Sequence, residues 1–396
     1  MKVSVISASF FESTFPLIKH VSTHTPVDLF CVIQKTFLNP AMMDISFQAK
    51  NIKCGILTPE QSSIVIPEHV HYYFEKSDVT IQIVVFSGGK RFFKDIITSF
   101  HLSRLIKKRK YSICHIIGTY VLFPIIECLL PKDKIVHTLH ESCDRILMLD
   151  KNRIKHLFFK ILFRIFEKRP IRLIFHSKSV RSEYHNSFSK PLNQTTVIPF
   201  GLFEGYKTFK ESDDLKLPGK DYFLFVGYIH PYKGVDLLVK VAQSISDQNI
   251  DCKFIIAGKD ATNLNDRFKI PKNLILINKY LSETEIVTLI KNCYAIILPY
   301  TSSSQSGIPN TGFCFNKPII ASDLEGIKDI VYHNINGLLF KNGDLKELEE
   351  NIIKLWKSNE LYQKMVRNIE EQVNLKWMDW KKLALNTFNW YNIQEI

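Results

Sequence analysis

A chain of 396 residues, 45% hydrophobic and 12% aromatic, carries enough apolar material for two domains with large cores, and with no repeat or low-complexity tract it is neither fibrous nor disordered. Its formal charge of +13 is lodged in one half: residues 1–200 hold 28 Lys and Arg against 15 Asp and Glu, whereas residues 201–396 hold 24 of each. The eight cysteines, at 31, 54, 114, 128, 143, 252, 293 and 314, form no C-x-x-C pair, which argues against a zinc site or a disulfide framework and suits a reducing cytosol.

The first residues, MKVSVISASF, have one Lys and a brief apolar run, too weak for a signal peptide and better read as a first strand. No uninterrupted apolar run reaches spanning length. Candidate strands follow at Lys2–Ile6, Val27–Ile33, Val79–Phe86, Ile113–Ile117, Lys134–Leu139 and Leu173–Phe175. Helical patterns lie between several of them, notably Phe92–Lys108. Such alternation predicts a parallel sheet covered by helices on both faces. Ligands of these sheets bind beyond the carboxyl ends of the strands, which directs attention to Ser7–Thr14, Gly118-Thr119 and His140-Glu141-Ser142.

Residues 104–172 hold 16 basic and 6 acidic side chains. Within them, KNRIKHLFFKILFRIFEKR at 151–169 places Ile154, Leu157, Phe158, Ile161, Leu162 and Ile165 on one helical face. His156, Lys160 and Arg164 line the other at four-residue steps, and Pro170 ends the run. A basic face opposite a Phe/Leu/Ile face suits a helix lying on an anionic membrane, reinforced by Arg104, Lys107, Lys108, Arg109 and Lys110. A core helix with a solvated basic edge is the competing reading. Nucleic acid is not expected as a partner, because the helix is too apolar for a groove and no nucleic-acid module is present.

Pro199, Gly201, Gly205, Pro218 and Gly219 punctuate a polar stretch that reads as a linker. A second α/β pattern then starts with strand Tyr222–Val226, turn GYIHPYKG and helix Val235–Ser246. Strands Phe254–Ala257 and Leu274–Ile277 follow, the first ending at Gly258. Ser282 and Glu285 form a capping box for a helix reaching about Cys293. Helices are expected at Leu345–Ser358, Glu360–Asn374 and Trp380–Trp390.

Between them lies IILPYTSSSQSGIPNTGFCFNKPIIASDLEGIKDIV, residues 296–331. A buried strand stops at Pro299, and a donor-rich turn of Ser302, Ser303, Ser304, Gln305, Ser306 and Gly307 leads into a helix of about ten residues, then a strand at Pro318–Ala321. Strand, donor-rich turn and helix start is an arrangement that takes phosphate. An ordinary serine-capped βα loop would look the same.

Four patterns together are more specific. They are Gly227-Tyr228-Ile229-His230-Pro231-Tyr232-Lys233-Gly234, Asn316-Lys317-Pro318-Ile319-Ile320-Ala321-Ser322-Asp323, Glu325-Gly326-Ile327-Lys328-Asp329-Ile330-Val331 and Asn336-Gly337-Leu338-Leu339-Phe340. In these the second half resembles the family 4 glycosyltransferases, retaining enzymes of the GT-B fold. Over 1–194 the resemblance is thinner and rests on His115, the HTLHE of 137–141, and His176-Ser177. It implies an α/β fold of two Rossmann-like domains facing each other across a cleft. Residues 1–198 would bind the acceptor, 199–376 the nucleotide sugar, and 377–396 would form a helix packing back toward the first domain.

The resemblance implies roles. Lys233 would neutralise the departing diphosphate and His140 would position the reacting sugar or acceptor. Gly227, Tyr228, His230, Gly258, Tyr280, Gln305, Ser306, Gly307, Asn310 and Thr311 would bind the donor, and His115, Thr119 and Glu141 would lie on the acceptor side. Two glutamates usual in the family fall here near Ser303 and near Asn310 or Thr311, so ribose would meet neutral partners. The N-terminal loop, SASFFEST, lacks the usual glycines. No cofactor or metal is implied beyond a UDP- or GDP-sugar as co-substrate. The expected function is sugar transfer to a glycolipid or polyprenyl-linked acceptor for surface polysaccharide, by a cytoplasmic protein peripheral to the inner membrane face and held there through 104–110 and 151–172. A catalytically impaired scaffold and a sugar-nucleotide epimerase of the same fold are the alternatives.

Overall fold

The computed structural model describes residues 1–35, 42–43, 45, 52–88, 92–118, 120, 122–140, 171–187, 194–302 and 306–393. The chain divides into two compact units, one of Met1–Gly201 with Trp380–Ile396 and one of Leu202–Asp379.

In unit 1 the described strands are β1 (Val3–Ser7), β2 (Val27–Gln34), β3 (Gly55–Ile56), β4 (Val79–Phe86), β5 (Ile113–Ile117), β6 (Ile135–Leu139), β7 (Arg172–Phe175) and β8 (Thr195–Val197). They form one sheet in the order β3-β4-β2-β1-β5-β6-β7-β8, antiparallel only between β3 and β4. Every residue of β1, β5, β6 and β7 is buried, as expected when both faces of a parallel sheet are covered. Val5 sits in register between Leu29 of β2 and His115 of β5. Strands β3 and β8 are two and three residues long, too short to show an apolar pattern, and neither was expected.

The helix Phe11–Val21 buries Phe11, Phe15, Ile18 and Val21 at helical spacing. The helix Trp380–Tyr391 packs along it, with the rings of His24 and Phe388 stacked at 5.1 Å. Arg172 Nη1 donates to the carbonyls of Trp390, Tyr391 and Ile393 at 2.9, 2.8 and 3.2 Å, which satisfies carbonyls that a helix end leaves open. At Gly201 a Cβ would collide with the Trp380 indole, so glycine is needed where those two segments meet.

In unit 2, β9 (Tyr222–Val226), β10 (Phe254–Ala257), β11 (Leu274–Ile277), β12 (Cys293–Leu298), β13 (Ile319–Ser322) and β14 (Gly337–Phe340) pair in the order β11-β10-β9-β12-β13-β14, all parallel. The helix Val235–Asp247 lays Leu238, Val239, Val241, Ala242 and Ile245 on the core. The Ser282–Glu285 capping box closes as expected, with Glu285 N donating to Ser282 Oγ (3.3 Å) and Ser282 N to Glu285 Oε2 (3.0 Å). Two expectations change. The helix after Gly307 has seven residues, Ile308–Cys314, and left-handed Asn316 follows its end. The long helix from Glu360 divides into Asn359–Asn368 and a π-helical stretch Ile369–Trp377.

Strand order reverses between β1 and β5 in unit 1 and between β9 and β12 in unit 2. The carboxyl ends of those strands are where open α/β sheets bind ligands.

Candidate functional site

Unit 2 assembles its site at the reversal between β9 and β12. Gly227 leaves β9 with φ 130° and Pro231–Lys233 make one turn of 3₁₀-helix. Gly234, at φ 61°, then starts the helix Val235–Asp247. A Cβ on Gly234 would collide with the carbonyl oxygen of Pro299, the residue that follows β12. The two strand-end loops therefore lie backbone against backbone, and Thr301 N donates to the Tyr232 carbonyl at 2.8 Å. Gly258 makes a second such contact, on the carbonyl of Gly227.

This fit places Lys233 Nζ 3.8 Å from the centroid of the Tyr300 ring, with the Tyr232 ring at 5.2 Å. Tyr300 is wholly buried and its hydroxyl lies 3.4 Å from Ser306 Oγ. Burial pulls the Lys233 pKa below its ordinary 10.5, with Tyr232 opposing. Among the described residues no carboxylate pairs with this ammonium. The aromatic face returns about 0.5–2 kcal/mol of what desolvation costs. A carboxylate would return more, but it would also repel an anionic ligand. Among the described residues this cation has aromatic neighbours and no counter-ion. Asn342 braces the floor, its Nδ2 donating to the Thr301 carbonyl (3.1 Å) and its backbone N–H to Asp323 Oδ1 (2.9 Å).

Around this cation, the His230 ring lies 6.3 Å from that of Tyr228 and 5.1 Å from that of Tyr232. Tyr228 and Tyr232 are exposed, and Tyr280 after β11 is 77% exposed. Lys279, the residue before it, is anchored by an ion pair to Glu285. Ser306 is buried. Gly307 owes its size to a protein neighbour, since a Cβ there would come 2.6 Å from Phe203 Cε2. Asn310 and Thr311, expected to meet ribose, lie on the helix Ile308–Cys314. Both are buried, Asn310 with its Nδ2 toward Met378 Sδ (3.8 Å) and Thr311 with its hydroxyl donating to the Gly307 carbonyl (3.3 Å). Gln305 lies outside the described residues.

Unit 1 gathers histidines at the ends of β6 and β7. His140 stacks on Phe10 at 3.9 Å, with His176 at 4.7 Å and Phe200 at 5.4 Å. His176 stacks on Phe200 at 3.7 Å, and its Nδ1 donates to the Ile198 carbonyl (2.8 Å), which leaves the lone pair on Nε2. Burial lowers its pKa to about 4. Burial first, then the neighbouring His176, His137 and His115, keep His140 well below 6.5 and neutral. Neither His140 nitrogen has a hydrogen-bond partner among the described residues.

His115, expected on the acceptor side, lies in the core of unit 1. It sits within β5, fully buried, its Nδ1 2.6 Å from the Tyr391 hydroxyl and its Nε2 2.7 Å from Thr138 Oγ1. Thr119 and Glu141 lie outside the described residues. Glu127 was not foreseen, although a lone acid inside FPIIECL is a visible signal. Its Oε1 lies 2.6 Å from His137 Nδ1, and His137 Nε2 donates to the Gly118 carbonyl at 2.8 Å, which fixes the turn beside His140. Phe10 and Phe200 were also missed, because nothing in a periodic pattern marks a ring that stacks after a strand. The basic field is smaller than the charge count suggests. Arg109 is spent on Asp28 and Gln82, and Arg172 on the last helix. The run 151–170 lies outside the described residues.

Among the described residues, no group of three or more His, Cys, Asp or Glu could hold a metal ion. Residues 47–202 match the family model described as Glycosyltransferase Family 4, and residues 207–372 that described as Glycosyl transferases group 1. The chain is 27% identical over 250 residues to an uncharacterized glycosyltransferase of Methanocaldococcus jannaschii, a match covering 63% of this chain and 65% of that relative. It is 23% identical over 231 residues to the capsular polysaccharide biosynthesis glycosyltransferase CapM of Staphylococcus aureus, covering 54% and 60%. The chain thus spans less than two thirds of these relatives' own length. In fold it is similar to Anabaena HepE, solved in complex with UDP, with a TM-score of 0.65 at 14% identity over 98% of this chain and 99% of that one. By the two consecutive family matches and this architecture, the chain belongs to the family 4 glycosyltransferases of the GT-B fold.

Proposed function

We propose that the protein transfers a sugar from a nucleotide diphosphate to an acceptor hydroxyl, with retention at the anomeric carbon. The observation that carries this reading is the Lys233 ammonium, which rests on Tyr300 at the strand-order reversal with no carboxylate partner among the described residues. As the glycosidic C–O bond breaks, its electron pair passes to the β-phosphate oxygen, and Lys233 offsets the charge that develops there. The acceptor hydroxyl enters on the face the diphosphate leaves, and its proton goes to the departing phosphate, so no protein nucleophile is needed. His140, neutral, orients the acceptor from unit 1. Tyr280, the most exposed ring of the site, offers a stacking face to the base, as it can to either uridine or guanosine.

The acceptor is proposed to be membrane-associated, a glycolipid or polyprenyl-linked saccharide of a surface polysaccharide. The name of the capsular relative supports the pathway class. The exposed Arg104, Lys107, Lys108 and Lys110 support an anionic surface as partner. Among the described residues no helix is long and apolar enough to cross a membrane.

A thermal-shift screen of UDP, GDP and ADP and their sugars tests the donor reading. One diphosphate at a hundredfold excess over its Kd should add about 2.7 kcal/mol of stability to the wild type and far less to Lys233→Ala. If none of them stabilises the protein, the reading is wrong. Binding with no hydrolysis of any bound sugar nucleotide would favour the impaired scaffold.

A further inference from the structure

Phe10 interrupts the end of β1. Its backbone is left-handed, φ 59° and ψ 37°, which costs a residue with a Cβ about 1–2 kcal/mol. That backbone is fixed, because its carbonyl accepts from Ser13 N (3.1 Å), Thr14 N (2.9 Å) and Ser13 Oγ (3.0 Å). The side chain, in contrast, is 37% exposed and lies over His140, the rings 3.9 Å apart and inclined by 23°. Opposite stand Phe200, which is buried, and His176. Gly118 closes a third side: a Cβ there would sit 3.3 Å from Ser9 Oγ, 3.4 Å from His140 Cδ2 and 3.5 Å from Phe10 Cδ2.

The two His140 nitrogens are buried and meet no hydrogen-bond partner among the described residues. A neutral imidazole holds one N–H and one lone pair, and leaving both unsatisfied is costly. These are the groups a sugar hydroxyl would bond. Phe200 is buried and Gly118 has no side chain to move, whereas Phe10 is partly in solvent on an anchored backbone. Of the groups packed on His140, Phe10 is therefore the one that can turn about its own side-chain bonds without disturbing the core.

We infer that Phe10 controls access to His140: a ligand reaches the imidazole only by displacing this ring, and the displaced ring then faces the apolar side of whatever pyranose enters. The idea rests on the reading of unit 1 as the acceptor side. Its test needs no acceptor, however, so the two can fail separately.

The full-length protein, without ligand, is treated with diethyl pyrocarbonate, and modification of individual histidines is followed by peptide mass spectrometry. Gly and Asn both tolerate left-handed backbone, so Phe10→Gly and Phe10→Asn keep the turn, and thermal unfolding confirms that each variant folds. In both, the His140 rate should rise about tenfold or more over wild type, while His115, held by Tyr391 and Thr138, keeps its rate. Folded variants in which His140 reacts no faster than in wild type would overturn the inference. So would a wild-type His140 that reacts as fast as exposed His24 or His101.

Discussion

Nδ1 of His115 and the hydroxyl of Tyr391 stand 2.6 Å apart although 276 positions separate them in the sequence. Both side chains are buried, and Thr138 takes the other ring nitrogen. The pair fastens the last described helix to the central strands of unit 1. Tyr391→Phe leaves one buried nitrogen unsatisfied, a loss of about 1–3 kcal/mol. The melting temperature should fall by roughly 2–10 °C, read by circular dichroism. Nucleotide affinity should stay the same, because the donor-side residues all belong to unit 2.

Lys233 gives a sharper pair of outcomes. Removing the ammonium in Lys233→Ala should lower donor-sugar turnover by about a hundredfold or more, as for other lost electrostatic contacts to a developing anion. Its pKa is already lowered by burial, so the neutral amine forms at a lower pH than for an ordinary lysine. A diphosphate favours the charged form, so affinity is full at neutral pH and is lost as pH rises through that depressed value. Lys233→Arg should retain part of the affinity and carry it to higher pH, because a guanidinium stays charged. Calorimetric titration of the nucleotide at several alkaline pH values checks both.

Tyr280 contributes surface and little packing, being 77% exposed. Tyr280→Ala should therefore leave the unfolding temperature within a degree or so, since exposed positions seldom matter to stability. If a base stacks on the ring, nucleotide binding weakens by about 1–3 kcal/mol. Unaltered affinity would remove Tyr280 from the donor site.

The buried histidines set an acid limit. In the folded chain burial lowers the pKa of His115 to about 3 and of His176 to about 4, below the ordinary 6.5. Between those values and 6.5 the unfolded chain binds more protons than the folded one. Stability is therefore complete above 6.5 and declines as pH falls toward 4, by up to about 1.4 kcal/mol per pH unit for each histidine. Denaturant melts from pH 7.5 to 4.5 should show that slope. In His176→Phe it should be shallower, since one titrating group is gone.

Much of this molecule could be read from its residues. Strands such as YFLFV and FIIA are apolar throughout because helices cover both sides of each sheet, and such runs announce themselves. Lys233 was legible because glycines at 227 and 234 flank it in a turn between strand and helix. What could not be read was contact across distance. The sequence shows Asn310 and Thr311 after the serine-rich turn, but not their burial, nor that Asn310 lies beside Met378. His115 looks like a ligand until Tyr391 arrives from the far end of the chain. Phe10 gives no local hint, because its left-handed backbone and its stacking on His140 come from tertiary packing.

The return of Trp380–Tyr391 to unit 1 bears on how the protein is made. A ribosome delivers Met1–Gly201 first, then the whole of Leu202–Asp379, and only afterwards the segment that covers the helix Phe11–Val21. Until then the nascent first unit carries a bare apolar helix flank and an Arg172 without its carbonyl partners. The second unit can complete itself ahead of the first, reversing the usual order of vectorial folding, and the waiting intermediate is the species a chaperone would hold.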